Sequence, residues 1–315
     1  MEISKNIWCF RILVVDLHPE TKFKQTRLMK YLDPKADLTF KKIFGKHPDL
    51  LISLLNALLP LGDDEQIESI EYLPNELVPE LYEHKNSIVD VLCKDIHGRQ
   101  FCVEMQMEWS NAFKQRVLFN ASKLYVTQAQ KAEHYKDLQP VYSLNLINDI
   151  FEPNLKEYRH DYKIVHDKYS DRVIEGLHFT FIELPKFTPH SVTEKRMAVL
   201  WLRFLTEIGA DTKTPPKDLV ENPEISKALE EVEITAFTEE ELRAYDKFWD
   251  VVRTEKTLQV DSFDEGMAKG KAEGRAEGEL AKSLDIARKM LASGLPASQV
   301  MEFTGLSKEQ LDHLK

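Results

Sequence analysis

Apolar positions recur along the chain with two different periods, and each change of period marks a change of element. Phe40, Ile43 and Phe44 repeat at helical spacing within 37–44, and Gly45 is expected to end that helix. Leu50, Leu51, Leu54, Leu55, Leu58 and Leu59 predict a second helix over 49–59, closed by Pro60, Gly62 and the acidic run 63–65. Residues 67–73 read as a strand, and 74–85, with two prolines and several glutamates, as a loop or edge. A strand over 87–93 and a turn at His97-Gly98 lead into 100–109, where alternation is strict. Phe101, Val103, Met105 and Met107 share one face there; Cys102, Glu104, Gln106 and Glu108 share the other. A long helix over 111–132, an apolar strand over 141–147, strand-capable pieces between 158 and 184, and a helix over 193–208 follow.

Pro215, Pro216 and Pro223 interrupt the chain, and further helices are expected over 224–260. Beyond them Gly266, Gly270, Gly274 and Gly278 recur every fourth residue among Lys, Arg, Glu and Ala. Such a segment is either a frayed, mobile linker helix or one whose glycines permit close approach to a partner. Helical pieces over 281–291, 296–303 and 307–314 close the chain, with Gly294 ending the first and a Ser307–Gln310 capping box opening the last. This small unit suits DNA reading, interaction or dimerisation. The expected organisation is an extension over 1–30, an α/β core over 31–190, helices packing on it over 191–260, a charged glycine-repeat linker or helix over 261–280, and a small helical module over 281–315.

Charge narrows the partners. The 53 acidic residues against 42 basic ones give a formal net charge of −11, which argues against a surface that coats nucleic acid throughout. A local basic groove is still open. From Trp109 to Ala132 there is no Asp or Glu, while Lys114, Arg116, Lys123 and Lys131 are present. That stretch is either a DNA-facing surface or a solvated helix face balancing the acidic hairpin. Three cysteines without zinc-like spacing suit a reducing, cytoplasmic setting, with Cys93 and Cys102 as core thiols. His47, His84 and His97 share no ligand spacing, and no window is apolar enough for a membrane span.

The chemistry centres on Asp90. It interrupts the apolar run Ile88, Val89, Val91, Leu92, where a carboxylate needs a partner or a purpose. A hairpin that sets Asp90 opposite Glu104 brings together two hard oxygen ligands for Mg²⁺ or Mn²⁺. Gln106, two positions on, shares the face of Glu104 and can orient water or phosphate, but supplies no positive charge. Asp37 is either a further acidic contact or a helix N-terminal charge.

These residues carry a resemblance. The opening Asp37-Leu-Thr-Phe40-Lys41-Lys-Ile-Phe44-Gly45, the Asp90 strand, and Glu104-Met105-Gln106 before a long helix resemble the PD-(D/E)XK nuclease family transposases, also called Rpn recombination-promoting nucleases. Arg116, Tyr125, Tyr135, Leu138, Pro140 and the glycine-spaced tail extend the likeness over roughly 33–290. The resemblance implies a restriction-endonuclease-like core, a central mixed sheet flanked by helices, with a helical C-terminal extension. It implies Mg²⁺-dependent cleavage of DNA, double-stranded by expectation, in recombination and horizontal gene transfer. Asp90 and Glu104 would be the metal ligands, with Gln106 and Asp37 as further catalytic residues. Gln106 stands where the wider superfamily has lysine, so Lys41 or Lys123 is expected to compensate. Lys41, Lys114, Arg116, Lys123 and Tyr125 are the candidate DNA contacts, and the tail is a candidate for self-assembly. Two other readings stay open: a non-catalytic DNA-binding or assembly protein that keeps the fold, which Gln106 and the acidic balance favour, and action on RNA.

Overall fold

A computed structural model describes residues 30–74, 76–77, 87–110, 112–130, 132–189 and 196–314. Residues 1–29 of the expected N-terminal extension, Cys9 among them, His84, Lys131 and most of the proline-bearing loop lie outside the described residues.

Helix α1, Asp37–Lys46, buries Phe40, Ile43 and Phe44, and Phe44 meets Trp201 at a ring-centroid distance of 5.4 Å. Gly45 does not end this helix. It lies within the last turn, and His47, which precedes Pro48, adopts an extended conformation that stops the helix instead. Pro48 then opens α2, Pro48–Leu58, whose leucines are buried.

Strand β1 is Ile70–Tyr72, and the short β2, Glu76–Leu77, pairs with β3, Ser87–Ile88. The strand expected over 87–93 is broken: after β3 the chain leaves the ladder at Val89 and Asp90 and resumes as β4, Val91–Asp95. The turn that follows is built by Asp95, whose carboxylate accepts the N–H groups of His97 and Arg99, and by Gly98 at φ +81°. β5, Gln100–Gln106, returns antiparallel to β4. Helix α3, Phe113–Thr127, crosses over to β6, Val141–Ile147, which runs parallel to β5 and is buried along its whole length. β7, Arg159–Val165, and β8, Val173–Glu183, complete a six-stranded mixed sheet in the order β1-β4-β5-β6-β8-β7.

The alternation in β5 sets the layers. Phe101 and Val103 join one large core with α1, α2 and the helices α4, Arg196–Glu207, α5, Lys217–Glu221, and α6, Pro223–Glu231. Cys102 faces the other way, into a smaller core under Ala121 and Leu124 of α3, and Phe113 and Val117 continue that layer over Ile147 and Phe181. Cys93 and Cys102 are unpaired buried thiols, both pushed up to about 12 by burial. The fold is therefore α/β, a central mixed sheet flanked by helices with a helical C-terminal extension.

Helix α7 runs from Glu239 to Ala292. The chain forms two compact units, Met1–Val252 and Arg253–Lys315. In the first, Leu242 and Tyr245 of α7 pack with Leu32 and Ala36. In the second, α8, Ala297–Thr304, and α9, Lys308–Asp312, fold over Ala287 to bury Val300, Leu306 and Leu311. Gly294 and Gly305 take positive φ at the turns, and the Ser307–Gln310 capping box is formed. Residues 253–282 are helical yet exposed on every side, although each glycine there is about 1 kcal/mol less favourable than alanine.

Candidate active site

The site lies where the break before β4 meets the end of β5. The Asp90 carboxylate accepts the N–H of Met105 at 2.7 Å, taking a place that a strand carbonyl would otherwise fill. This bond explains why the chain leaves the ladder at Asp90. It also sets the half-buried Asp90 beside Glu104, the residue before Met105. Glu104 points to the α3 side and is 5% exposed. There Asn120 donates to its Oε1 at 3.0 Å, and Arg116 stands 3.7 Å from its Oε2. Arg116 and Asn120 are four residues apart and share a face of α3.

From the other layer, α1 contributes Lys41. Its ammonium pairs with Asp37 at 2.6 Å and stands 3.9 Å from Asp90. Gln106 accepts from the Arg116 guanidinium at 2.6 Å through Oε1, while its Nε2 donates to the Glu108 carbonyl at 2.8 Å. Gln106 thus carries no charge of its own but holds a cation next to Glu104.

The electrostatics leave negative charge incompletely answered. Burial pushes the Asp90 carboxyl up to about 6, and neighbouring Asp37 and Glu104 push the same way, against the Met105 N–H and Lys41. Burial also raises Glu104, against the Asn120 hydrogen bond and Arg116. The cationic nitrogens that face Asp90 and Glu104 stand at 3.9 and 3.7 Å, beyond direct hydrogen-bond contact. Among the described residues no group of three or more His, Cys, Asp or Glu gathers as a metal site. A pair of carboxylates, oxygen-only and partly neutralised, nevertheless fits Mg²⁺, which commonly takes one or two protein carboxylates and completes its shell with water and phosphate.

Asp37, Lys41, Asp90, Glu104, Gln106 and Arg116 thus come from four separated segments, α1, the break before β4, β5 and α3. Lys123 lies on α3 one turn beyond Asn120. Lys114 is turned elsewhere, paired with Glu152 at 2.7 Å and set over the Phe151 ring. Tyr125 packs half-buried beside the core under α3, close to Gly176, where a Cβ would meet its ring at 3.4 Å. Neither is brought to the acid pair. Asn120 escaped the sequence reading. Its signal was the one that marked Asp90: a polar residue, here 1% exposed, within the buried stripe of Phe113, Val117, Ala121 and Leu124.

A mixed sheet with one acid in the break before β4, a second on β5 and a crossover helix packed beside them defines a PD-(D/E)XK-type α/β protein. Residues 34–257 match the family model described as PD-(D/E)XK nuclease family transposase, and the chain belongs to that family. Residues 280–315 match the C-terminal HTH domain of the Rpn/YhgA-like nuclease family. No curated protein and no solved structure matches the chain. Among the described residues no helix is long and apolar enough to cross a membrane.

Proposed function

We propose that the chain is a divalent-metal-dependent endonuclease acting on double-stranded DNA in the cytoplasm. The observation that carries this reading is that Asp90, in the break before β4, and Glu104 of β5 are near enough to feel each other's charge, with Lys41 3.9 Å from the first and Arg116 3.7 Å from the second. Asp90 and Glu104 would hold Mg²⁺ or Mn²⁺. When bound, such an ion lowers the pKa of a coordinated water and offsets charge on the scissile phosphate. The remaining work falls to the chain's own side chains. Asn120 fixes the carboxylate plane of Glu104 by donating to one oxygen. Asp37 holds Lys41 so that its ammonium stays beside Asp90.

Arg116, oriented by Gln106, supplies the positive charge that a lysine at position 106 would otherwise bring, and its fork suits the equatorial oxygens of a phosphate. Lys123, further along the acid-free helix, extends this positive edge for the DNA backbone. This reading calls on a local positive edge rather than on the overall charge of −11. Self-assembly through the C-terminal tail belongs to the same reading of the whole chain. A role in recombination and gene transfer follows from the family.

The test compares the intact protein with Asp90→Ala on supercoiled plasmid, with Mg²⁺ and with chelator. Nicking that needs Mg²⁺ and disappears in the variant supports the assignment; equal nicking by both proteins sinks it. One observation favours a second reading, a non-catalytic DNA-binding protein: Gln106 spends both ends of its amide on protein partners. That reading expects plasmid binding that Asp90→Ala leaves intact, with no cleavage by either protein.

A further inference from the structure

Two strands away from Gln106 a second buried acid closes the same row of the sheet: Gln106, Ile147 and Glu183 are register partners across β5, β6 and β8. Glu183 is fully buried, and a buried carboxylate needs its charge and lone pairs answered. Its Oε1 accepts the N–H groups of Phe151 and Glu152 at 2.6 and 3.0 Å, and its Oε2 meets Lys186 Nζ at 2.5 Å and His160 Nε2 at 2.9 Å. Lys186 in turn donates to the carbonyls of Glu152 and Leu155 at 2.6 and 2.9 Å. Acid and lysine together take up donors and acceptors of a segment, 148–156, that has no ladder or helix of its own.

That segment grips the approach to α3 at several points. Asp149 Oδ2 accepts the Trp109 N–H at 2.9 Å, where the chain has just left β5. The Phe151 ring stacks on Trp109 at 4.6 Å. Trp109 meets Phe113 edge-on at 5.5 Å, and the Arg116 guanidinium lies over the Phe113 ring at 4.9 Å. Glu152 pairs with Lys114 at 2.7 Å, one position before Gln115 and Arg116. The Arg116 side chain is 51% exposed, and an exposed arginine ordinarily samples many rotamers. Here a ring beneath it and the Gln106 amide at its edge, 2.6 Å away, restrict that freedom.

We propose that Glu183 is a positioning residue for Arg116: by fixing 149–152 it holds the first turn of α3, and so keeps the guanidinium beside Glu104. Its use in cleavage rests on the nuclease reading; the placement of the side chain does not, and the two can fail separately. Two measurements on the full chain tell them apart. The first follows the Arg116 Nε–Hε signal in side-chain NMR, identified by its loss in Arg116→Lys. Glu183→Gln is expected to move this signal to the position of a freely solvated arginine. Phe151→Leu is expected to do the same, since it removes the stack on Trp109 while leaving Glu183 and its partners in place. If circular dichroism shows that Glu183→Gln does not fold, Phe151→Leu decides. A signal that stays where it is in the folded variants overturns the proposal, whether or not the protein cuts DNA. The second is Mg²⁺-dependent plasmid nicking. At saturating DNA, Glu183→Gln is expected to lower the rate by about 10- to 100-fold, the scale of a small misplacement transmitted from outside the site, with the half-saturating DNA concentration changed by less than about 2-fold. In an Arg116→Ala background the same substitution is expected to lower the rate no further, because the two residues act as a unit. An equal loss in both backgrounds assigns Glu183 to general support of the fold and overturns the proposal. Absence of nicking by the unaltered protein overturns the nuclease reading instead, and the Arg116 signal then decides the positioning role.

Discussion

Replacing Asp90 by Asn should make the metal-free protein more stable at neutral pH, although it removes a residue of the proposed chemistry. The amide keeps an oxygen to accept the Met105 N–H, so the bond that shapes the strand break is preserved. What is lost is a carboxylate that burial and two acidic neighbours disfavour. A carboxyl whose folded-state pKa is raised stabilises the fold while it is protonated. That contribution is complete below the ordinary value of 3.8 and is lost as pH rises through about 6. At about 1.4 kcal/mol per pH unit the full shift corresponds to roughly 3 kcal/mol. The Asp90 side chain keeps 23% of its exposure, and solvent screening reduces the expected effect to about 1–2 kcal/mol. Urea unfolding followed by tryptophan fluorescence in chelator, from pH 4 to pH 8, provides the measurement. Stability of the unaltered protein should fall relative to Asp90→Asn between pH 4 and pH 6, and the gap should persist at pH 7.5. Added Mg²⁺ should narrow it, because ligand binding favours the folded form that holds the acid pair. A variant equally or less stable at pH 7.5, with no change in the gap across pH 4–6, would refute the reasoning.

Arg116→Ala should lower plasmid nicking by about 100-fold, the scale of removing one donor to developing charge. Binding of the same DNA in Ca²⁺ should weaken far less, and Gln106→Ala should give a smaller loss in the same direction. Asn120→Ala removes a hydrogen bond to a buried charged group and should cost about 1.5–3 kcal/mol in chemical unfolding at pH 7.5. The cost should shrink below pH 4, where Glu104 is protonated; a cost independent of pH would assign Asn120 to packing alone.

How far the amino-acid pattern carries depends on the range of the forces involved. Strand β6 was readable residue for residue because burial on both faces leaves a run dominated by Val141, Tyr142, Leu144, Leu146 and Ile147, with only Ser143 and Asn145 polar. The two faces of β5 followed from its period of two, and this assigned Glu104 and Gln106 to one layer before any contact was known. Asp90 stood out as a carboxylate among apolar neighbours. Its effect on the backbone did not, because the acceptor–donor pair with Met105 spans fifteen positions and replaces one type of hydrogen bond with another. Gly45 was misread because the stronger stop signal lay in Pro48, acting through His47. The approach of Lys41 to Asp90 depends on how α1 seats against the sheet, a tertiary fact with no periodicity of its own. Asn120 was visible in principle, as a polar residue on an apolar stripe, once α3 was known to close over Glu104.

The bond from Met105 N–H to Asp90 has a consequence for how the protein matures. The acid that completes the pocket is also the rung that locks β4 onto β5. A slip of one residue in that hairpin would turn Glu104 toward the opposite layer and leave the Met105 amide without its acceptor. A wrongly paired chain therefore cannot present both carboxylates together. Correct pairing of β4 with β5 is thus a condition for presenting the two carboxylates, and the fold checks its own site as it forms.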